Sequence, residues 1–228
     1  MPTVSGIIVS TGSQSTGRRA FSEVIDELAR TLDASDSTIR ALAGDAFRSA
    51  VRTMNRKGLW PWEILQEDIT QTANDKHSTV LGSVKKPLAM HHLTEADGTP
   101  DREIDYVSYD RFVEKYTLDV TAQTTLYTIP NLFETGQIRW FPTPASIDYF
   151  RFTYYRITPA PRVESETIEV PDYAIDVYMA FAWLEFCKRL SSAQRPMPIQ
   201  VALEESGAAF RQLSAHVGSP GDRSRGII

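Results

Sequence analysis

Two aromatic segments followed by a long apolar one constrain the fold of this chain most strongly. Residues 137–144 and 148–157 alternate aromatic or aliphatic with polar side chains, and prolines separate the two segments. A period of two is typical of β-strands with one buried face, and proline interrupts a strand. From Tyr173 to Leu190, apolar residues recur at helical spacing around most of the circumference, and Pro171 suits the first helical position. The sequence therefore predicts a β-region followed directly by a helix that is buried against more than one neighbour.

Two segments near the start of the chain have the clearest helical periodicity. Apolar residues recur at i, i+3, i+4 spacing over residues 21–32 and again over residues 39–54. Between them, Ser35 or Asp36 can cap the second helix through a side-chain oxygen. Gly58 is placed to end that helix with a positive φ. Because the connection is short, we expect the two helices to pack antiparallel.

Together these elements predict an α+β fold. The N-terminal and C-terminal helices form a helical bundle over residues 18–58 and 171–217, and residues 59–170 form an antiparallel β-sandwich or barrel-like domain. Residues 1–17 and 218–228 are rich in small and polar residues and are predicted to be tails. Further elements are predicted as strands near residues 64–71, 79–82, 88–90 and 124–130, a short helix near 109–116 and a last helix near 201–213.

The composition excludes several classes of protein. With 228 residues and a formal net charge of −5, the chain lacks the basic excess of a general nucleic-acid binder. Its single cysteine, Cys187, excludes an intramolecular disulfide and fits a reducing compartment. No apolar run approaches the roughly eighteen residues of a membrane span. We therefore expect a soluble protein that is made in the cytoplasm and does not bind a membrane.

No group of reactive side chains with recognisable spacing occurs. The adjacent His91 and His92 point to opposite sides of a strand, so they cannot share a metal ion. Cys187 lies on an apolar helical stripe, where burial raises the pKa of a thiol. Asp97 and Asp101 flank a turn but lack the further acidic residues of a calcium loop. We expect no catalytic, cofactor-binding or metal-binding residue, and no cofactor.

Two sets of side chains are candidates for contact with a partner. The first consists of arginines that lie off the apolar stripe of the second helix: Arg40, Arg48, Arg52 and Arg56. Such cations either lie in solvent near the negative end of the helix dipole or contact an acidic partner. The second set consists of aromatic residues: Trp60, Trp62, Trp140, Phe141, Phe150, Phe152, Tyr154 and Tyr155. Aromatic residues mostly fill cores and interfaces, but they also stack on sugars, so a carbohydrate- or receptor-binding β-sandwich module is the alternative function. An unrecognised hydrolase is a third hypothesis.

The order of these parts resembles the head-to-tail adaptor proteins of tailed bacteriophages, also called head-completion, tail accessory or tubular tail proteins. The resemblance spans residues 20–217 and rests on the order and spacing of short segments. These segments are Arg56 to Trp62, Ser108 to Phe112, Leu126 to Pro130, Ile138 to Pro144, Phe152 to Arg156 and Val170 to Tyr173.

The resemblance implies a non-enzymatic structural protein of the virion neck, assembled in the host cytoplasm as a ring of about twelve copies below the portal. Such a ring meets the tail tube or nozzle protein and continues the DNA channel, through which double-stranded DNA passes without specific binding. In this family the helical part and a C-terminal extension contact the portal. Carried onto this chain, the portal-binding residues are the four arginines of the second helix together with Arg223, Arg225, Ile227 and Ile228. Segment 72–105 is longer than in smaller relatives, and its contacts stay open.

Overall fold

The computed structural model describes residues 19–80, 82–96, 98–116, 119–132 and 136–217. These residues divide into two compact units. The helical unit comprises residues 19–62 and 158–217, and the β-unit comprises residues 63–157. The helical unit contains most of the helices, and the β-unit contains both sheets and one short helix, so the fold is α+β, as the sequence predicts.

The described residues form five α-helices and eight β-strands. The helices are α1 (Phe21–Ala29), α2 (Ser37–Lys57), α3 (Tyr109–Lys115), α4 (Asp172–Arg189) and α5 (Ile199–Val217). The strands are β1 (Ile64–Gln71), β2 (His77–Thr79), β3 (Val84–Leu93), β4 (Pro100–Glu103), β5 (Asp105–Tyr106), β6 (Leu126–Thr128), β7 (Gln137–Phe141) and β8 (Asp148–Arg156). A 3-10 turn, Pro61–Glu63, precedes β1.

The helical unit has a main core, to which α1, α2, α4 and α5 all contribute, and a smaller apolar cluster of Leu184, Cys187 and Ala202 on α4 and α5. Phe21 of α1 packs its ring 5.7 Å from that of Phe47, and Asp26 bonds to Arg40. Since residue numbers rise along α1 as they fall along α2, the two helices run antiparallel, as predicted. Helix α4 packs against α1, α2 and α5, which explains why apolar residues surround most of it.

The two ends of α2 confirm the predicted cap at its start and correct the backbone conformation predicted at its end. The Asp36 side chain caps α2 by accepting from the amides of Thr38 at 2.7 Å and Ile39 at 3.4 Å. Gly58 has a φ of 177°, so the predicted positive φ is wrong. The chain leaves α2 extended, and Trp60 turns back to donate its indole N–H to the Met54 carbonyl at 3.0 Å. This bond connects the segment after α2 to the last turn of the helix.

The start of α4 differs by one residue from the prediction. Pro171 is the N-cap, with an extended ψ of 150°, and the helix begins at Asp172. The Pro171 carbonyl accepts from the Ala174 and Ile175 amides, so proline contributes its oxygen to the first turn instead of a helical position.

Residues 158–170, called the strap here, join β8 to α4 and belong to the helical unit. The Asn55 side chain exchanges two hydrogen bonds with the Thr158 backbone, at 2.9 and 3.1 Å. The amide of Phe21 donates to the Glu166 carbonyl at 2.9 Å, and that of Ile168 donates to the Arg19 carbonyl at 3.0 Å. The sequence-based boundaries after residues 58 and 170 therefore differ from the structural ones after residues 62 and 157.

The β-unit consists of two four-stranded sheets that share one core. Their strand orders are β1-β8-β3-β4 and β2-β7-β6-β5, with antiparallel pairing except between β5 and β6. The two sheets face each other as a sandwich and are not closed barrels. Trp140 of β7 stacks on Phe150 of β8 at 4.3 Å, so aromatic residues of both sheets interlock across the core.

The two aromatic strands are not neighbours. Strand β7 lies in one sheet and β8 in the other, so the proline-containing segment between them carries the chain across the sandwich. The strand predicted at 88–90 is confirmed as part of the longer β3, whereas the one predicted at 79–82 overlaps β2 only at Thr79. Pro87 is tolerated within β3 because the pairing with β8 shifts register between Pro87 and Ala89.

Candidate partner-binding surfaces

The four arginines of α2 fall into two pairs with different surroundings. Arg40 donates to Asp26 of α1 and to Glu164 of the strap, the latter at 2.7 Å. These carboxylates, Glu164 foremost, raise the pKa of the Arg40 guanidinium above its already high value. Arg40 of α2 therefore connects α1 and the strap through ion pairs with both.

Arg48 also connects α2 to the strap. Its guanidinium donates to the carbonyls of Pro161 at 2.8 Å and Arg162 at 2.7 Å, and it pairs with Asp45 at 2.9 Å. It also lies over the Phe21 ring, 5.2 Å from the centroid. Arg48 thus satisfies two backbone carbonyls of the strap, which α2 could not reach with its own backbone.

Arg52 and Arg56 belong to the other pair. Both are exposed, and neither has an ion-pair partner among the residues that the structure describes. Since they are four residues apart on one helix, their side chains lie on the same side, about 6 Å apart at their Cβ atoms. These are the two predicted helical arginines that are available to a partner.

A complementary acidic pair lies at the beginning of α4, where the sequence prediction named no site. Asp172 and Asp176 are exposed, and within residues 19–217 as described neither carboxylate forms an ion pair. Tyr173 lies between them in sequence and is 38% exposed. The signal was present in the sequence as an i, i+4 repeat, but acidic residues at a helix start have an ordinary explanation in the helix dipole.

An aromatic cluster packs where the last turn of α2, the start of α4 and the end of α5 converge. Trp62 stacks on Trp60 at 5.2 Å and meets the Tyr173 ring edge-on at 5.8 Å. The Lys57 ammonium lies 4.7 Å from the centroid of the Phe210 ring. This cluster closes one end of the helical core with side chains from three helices.

Most of the aromatic residues considered for sugar stacking are enclosed in the two cores. Those that are at most 1% exposed are Trp60, Trp140, Phe150, Phe152 and Tyr154. The Trp140 indole N–H is held inside the β-unit by Gln71 at 3.0 Å and Ser78 at 2.9 Å. Such side chains stabilise the fold and are not accessible for stacking on a sugar.

The outer face of sheet β1-β8-β3-β4 has mixed chemistry, as the alternation in β8 predicts. Arg151 of β8 forms a two-pronged salt bridge with Asp68 of β1, with both nitrogen–oxygen distances 2.7 Å. On the other sheet, Phe141 of β7 meets Phe112 of α3 edge-on at 6.2 Å. Arg139 lies over the same Phe112 ring.

The adjacent histidines of β3 point to opposite faces, as predicted. His92 hydrogen-bonds Asp101 through Nδ1 at 2.7 Å and packs against Phe150, whereas His91 pairs in register with Arg151. Among the described residues, no group of three or more His, Cys, Asp or Glu side chains is arranged to hold a metal ion. Cys187 is buried on α4, and burial raises the pKa of its thiol.

A buried ion pair is the charged feature that sequence reasoning missed. Glu63 has no exposed side-chain surface and accepts from the Lys85 ammonium, which is 6% exposed, at 2.8 Å. Neither residue stands out in the sequence, because glutamate and lysine are usually exposed.

The remaining predicted contact residues, Arg223, Arg225, Ile227 and Ile228, lie outside the described residues. No helix of the described part is long and apolar enough to cross a bilayer.

Comparison with known proteins gives one family match. The model of the family described as SU10 adaptor protein matches residues 19–226. A solved structure described as the neck of an empty GTA particle computed with C6 symmetry aligns over 82% of this chain and 87% of that chain, with 14% sequence identity. Its TM-score of 0.26 is too low for any conclusion about fold or assembly. No curated protein matches the chain.

Proposed function

This chain belongs to the SU10 adaptor protein family, and on that premise we propose that it forms a ring between the portal vertex and the tail and continues the DNA channel. It is a structural protein of the bacteriophage head-to-tail connection. We propose a ring of about twelve copies. The ring is assembled in the host cytoplasm and meets the portal on one side and the tail tube or nozzle protein on the other.

The observation that carries this proposal is the extent of the family match. Residues 19–226 include both the helical unit and the β-unit, so the match covers the whole arrangement and not one common motif. On the same premise we propose a location in the virion neck and a structural, non-enzymatic role.

The charge of the chain supports passage of DNA without specific binding. A formal net charge of −5 repels phosphate, and non-specific DNA binding depends mainly on cations that neutralise phosphates. A channel lined by such a protein lets DNA slide during ejection instead of holding it.

For portal contact, we propose the C-terminal segment 218–228, with Arg223 and Arg225 as charged anchors and Ile227 and Ile228 as apolar ones. Ordering such a segment costs about 1–2 kcal/mol per residue, so anchors of both kinds are needed. Arg40 and Arg48 are already engaged with the strap, so portal binding through them would have to compete with bonds inside the helical unit.

The experiment combines purified protein with portal rings and examines the mixture by negative-stain electron microscopy and mass measurement. We expect a second ring stacked on the portal. The matched control ends at Val217, the last residue of α5, and should keep the circular dichroism spectrum while losing portal binding. Failure of the full chain to associate with portal rings, with or without prior ring formation, would refute the proposed function.

A further inference from the structure

We propose that neighbouring copies in the ring meet through two matched charge pairs: Arg52 and Arg56 of α2 in one copy, and Asp172 and Asp176 of α4 in the next. The inference rests on the proposed ring and identifies faces through which its subunits associate. The occupant of the exposed α2 face is therefore a second copy of this chain.

The two faces match in spacing. Each consists of two charged residues at i and i+4 of one helix, so in each face the two Cβ atoms lie about 6 Å apart. Two helices laid side by side can therefore bring both arginines to both aspartates together. Arginine and carboxylate form two parallel hydrogen bonds in the best geometry, which adds direction to the attraction.

The charged residues of both faces also lack ion pairs among the described residues of one copy. Arg40, Arg48 and Arg189 on the helical unit all bond to carboxylates, carbonyls or hydroxyls of their own chain. Among the described residues, Arg52 and Arg56 have no ion pair, and the same holds for the two aspartates of α4. No ion pair among the described residues uses these four charges, so another molecule can supply the complementary charge.

Tyr173 extends the acidic face. It lies between the two aspartates in sequence and is 38% exposed, and its ring is backed by Trp62 at 5.8 Å and by His216 at 5.6 Å. An arginine that approaches Asp176 can also lie against this ring, which is a favourable contact for a guanidinium. Tyrosine and arginine are the residue types that most often dominate binding at interfaces.

A contact between two different faces has a consequence for assembly. Such a heterologous contact leaves one free face of each kind after every addition, so it produces rings when the rotation closes. A contact between identical faces would stop at a dimer. The charge pairs therefore fit the ring that the proposed function requires.

The test uses charge reversal on each face. The basic-face variant is Arg52→Glu with Arg56→Glu, and the acidic-face variant is Asp172→Lys with Asp176→Lys. We expect each variant alone to form rings at least about tenfold less well than the wild type, since like charges then meet at every contact. An equimolar mixture should form rings again, because alternating copies restore attraction at every contact.

Native mass spectrometry of that mixture gives the decisive readout. Alternation requires equal numbers of the two variants, so the rings should contain an even number of copies in a one-to-one ratio. The chain with all four reversals should also assemble alone. A matched control, Arg30→Glu with Arg211→Glu, makes the same change in net charge at two other exposed arginines of the helical unit and should assemble as the wild type does.

The outcomes separate this inference from the function on which it rests. If both single-face variants form rings as well as the wild type, the inference is wrong while the adaptor function stands. If the basic-face variant loses only portal binding, and the acidic-face variant does not restore it, the arginines contact the portal instead of a neighbouring copy. If the wild type forms no ring with or without portal, the proposed function fails and this inference fails with it. Circular dichroism of each variant checks that the helical unit is folded.

Discussion

Replacing Arg48 by alanine should destabilise the helical unit, whereas the same change at Arg52 should not. The two arginines are one helical turn apart on α2 and differ in what they contact. Arg48 donates at 2.8 and 2.7 Å to two carbonyls of the strap and covers the Phe21 ring, and its side chain is 28% exposed. Arg52 is exposed and has no ion pair in the described residues.

The magnitude follows from these contacts. A hydrogen bond from a charged donor contributes about 1.5–3 kcal/mol, and partial exposure lowers that figure because water replaces the lost donor. Two such bonds and the contact with the Phe21 ring then amount to about 2–4 kcal/mol for Arg48→Ala. For Arg52→Ala we expect a change within about 0.5 kcal/mol, as is usual at exposed positions without specific contacts.

Urea denaturation followed by helical circular dichroism measures both differences. Hydrogen exchange adds a local readout, because the amides of Phe21 and Ser22 donate to the strap carbonyls of Glu166 and Glu164. These two amides should exchange faster in Arg48→Ala than in Arg52→Ala. Equal denaturation midpoints for the two variants, with unchanged exchange at both amides, would show that Arg48 does not hold the strap.

Three further substitutions test buried contacts by thermal or chemical unfolding. Trp60→Phe keeps an aromatic ring but removes the buried hydrogen bond from the indole N–H to the Met54 carbonyl, so it should cost about 1–3 kcal/mol; an unchanged midpoint would contradict this. Gly136→Ala places a Cβ atom 2.6 Å from a backbone carbonyl oxygen and should destabilise the β-unit by about 1–3 kcal/mol, and a neutral result would mean that this backbone approach relaxes freely. Glu63→Ala removes a buried carboxylate that accepts from the Lys85 ammonium and should cost about 3–5 kcal/mol, whereas replacing both residues by methionine should recover much of that loss.

Much of the secondary structure could be predicted because it depends on local periodicity. The stripes of α1, α2 and α4 and the alternation of β8 place apolar residues on one side of each element, and the structure buries those sides. Asp36 was identified as a possible cap because capping involves amides only two or three residues away. The order of the segments also sufficed to recognise the family, which the match over residues 19–226 confirms.

The candidate surfaces were predicted less well, because the sequence pattern marks residue types and not their partners. Arg40, Arg48, Arg52 and Arg56 look alike in the sequence, all charged and off the apolar stripe. Their difference comes from the strap, whose carbonyls and Glu164 are more than a hundred residues away from α2. The acidic pair on α4 was visible but had an adequate local explanation.

The amino-acid sequence by itself determined which main segments are helices and which are strands. An element can bury one apolar side only if its apolar residues recur at the period of a helix or a strand, wherever it lies in the fold. Only the tertiary structure decides that residues 158–170 pack with the helices, that β7 and β8 belong to different sheets and that Glu63 is buried beside Lys85. Each of these depends on contacts between residues far apart in sequence. Such contacts stabilise the protein only after both segments have come together, so a local sequence pattern does not predict them.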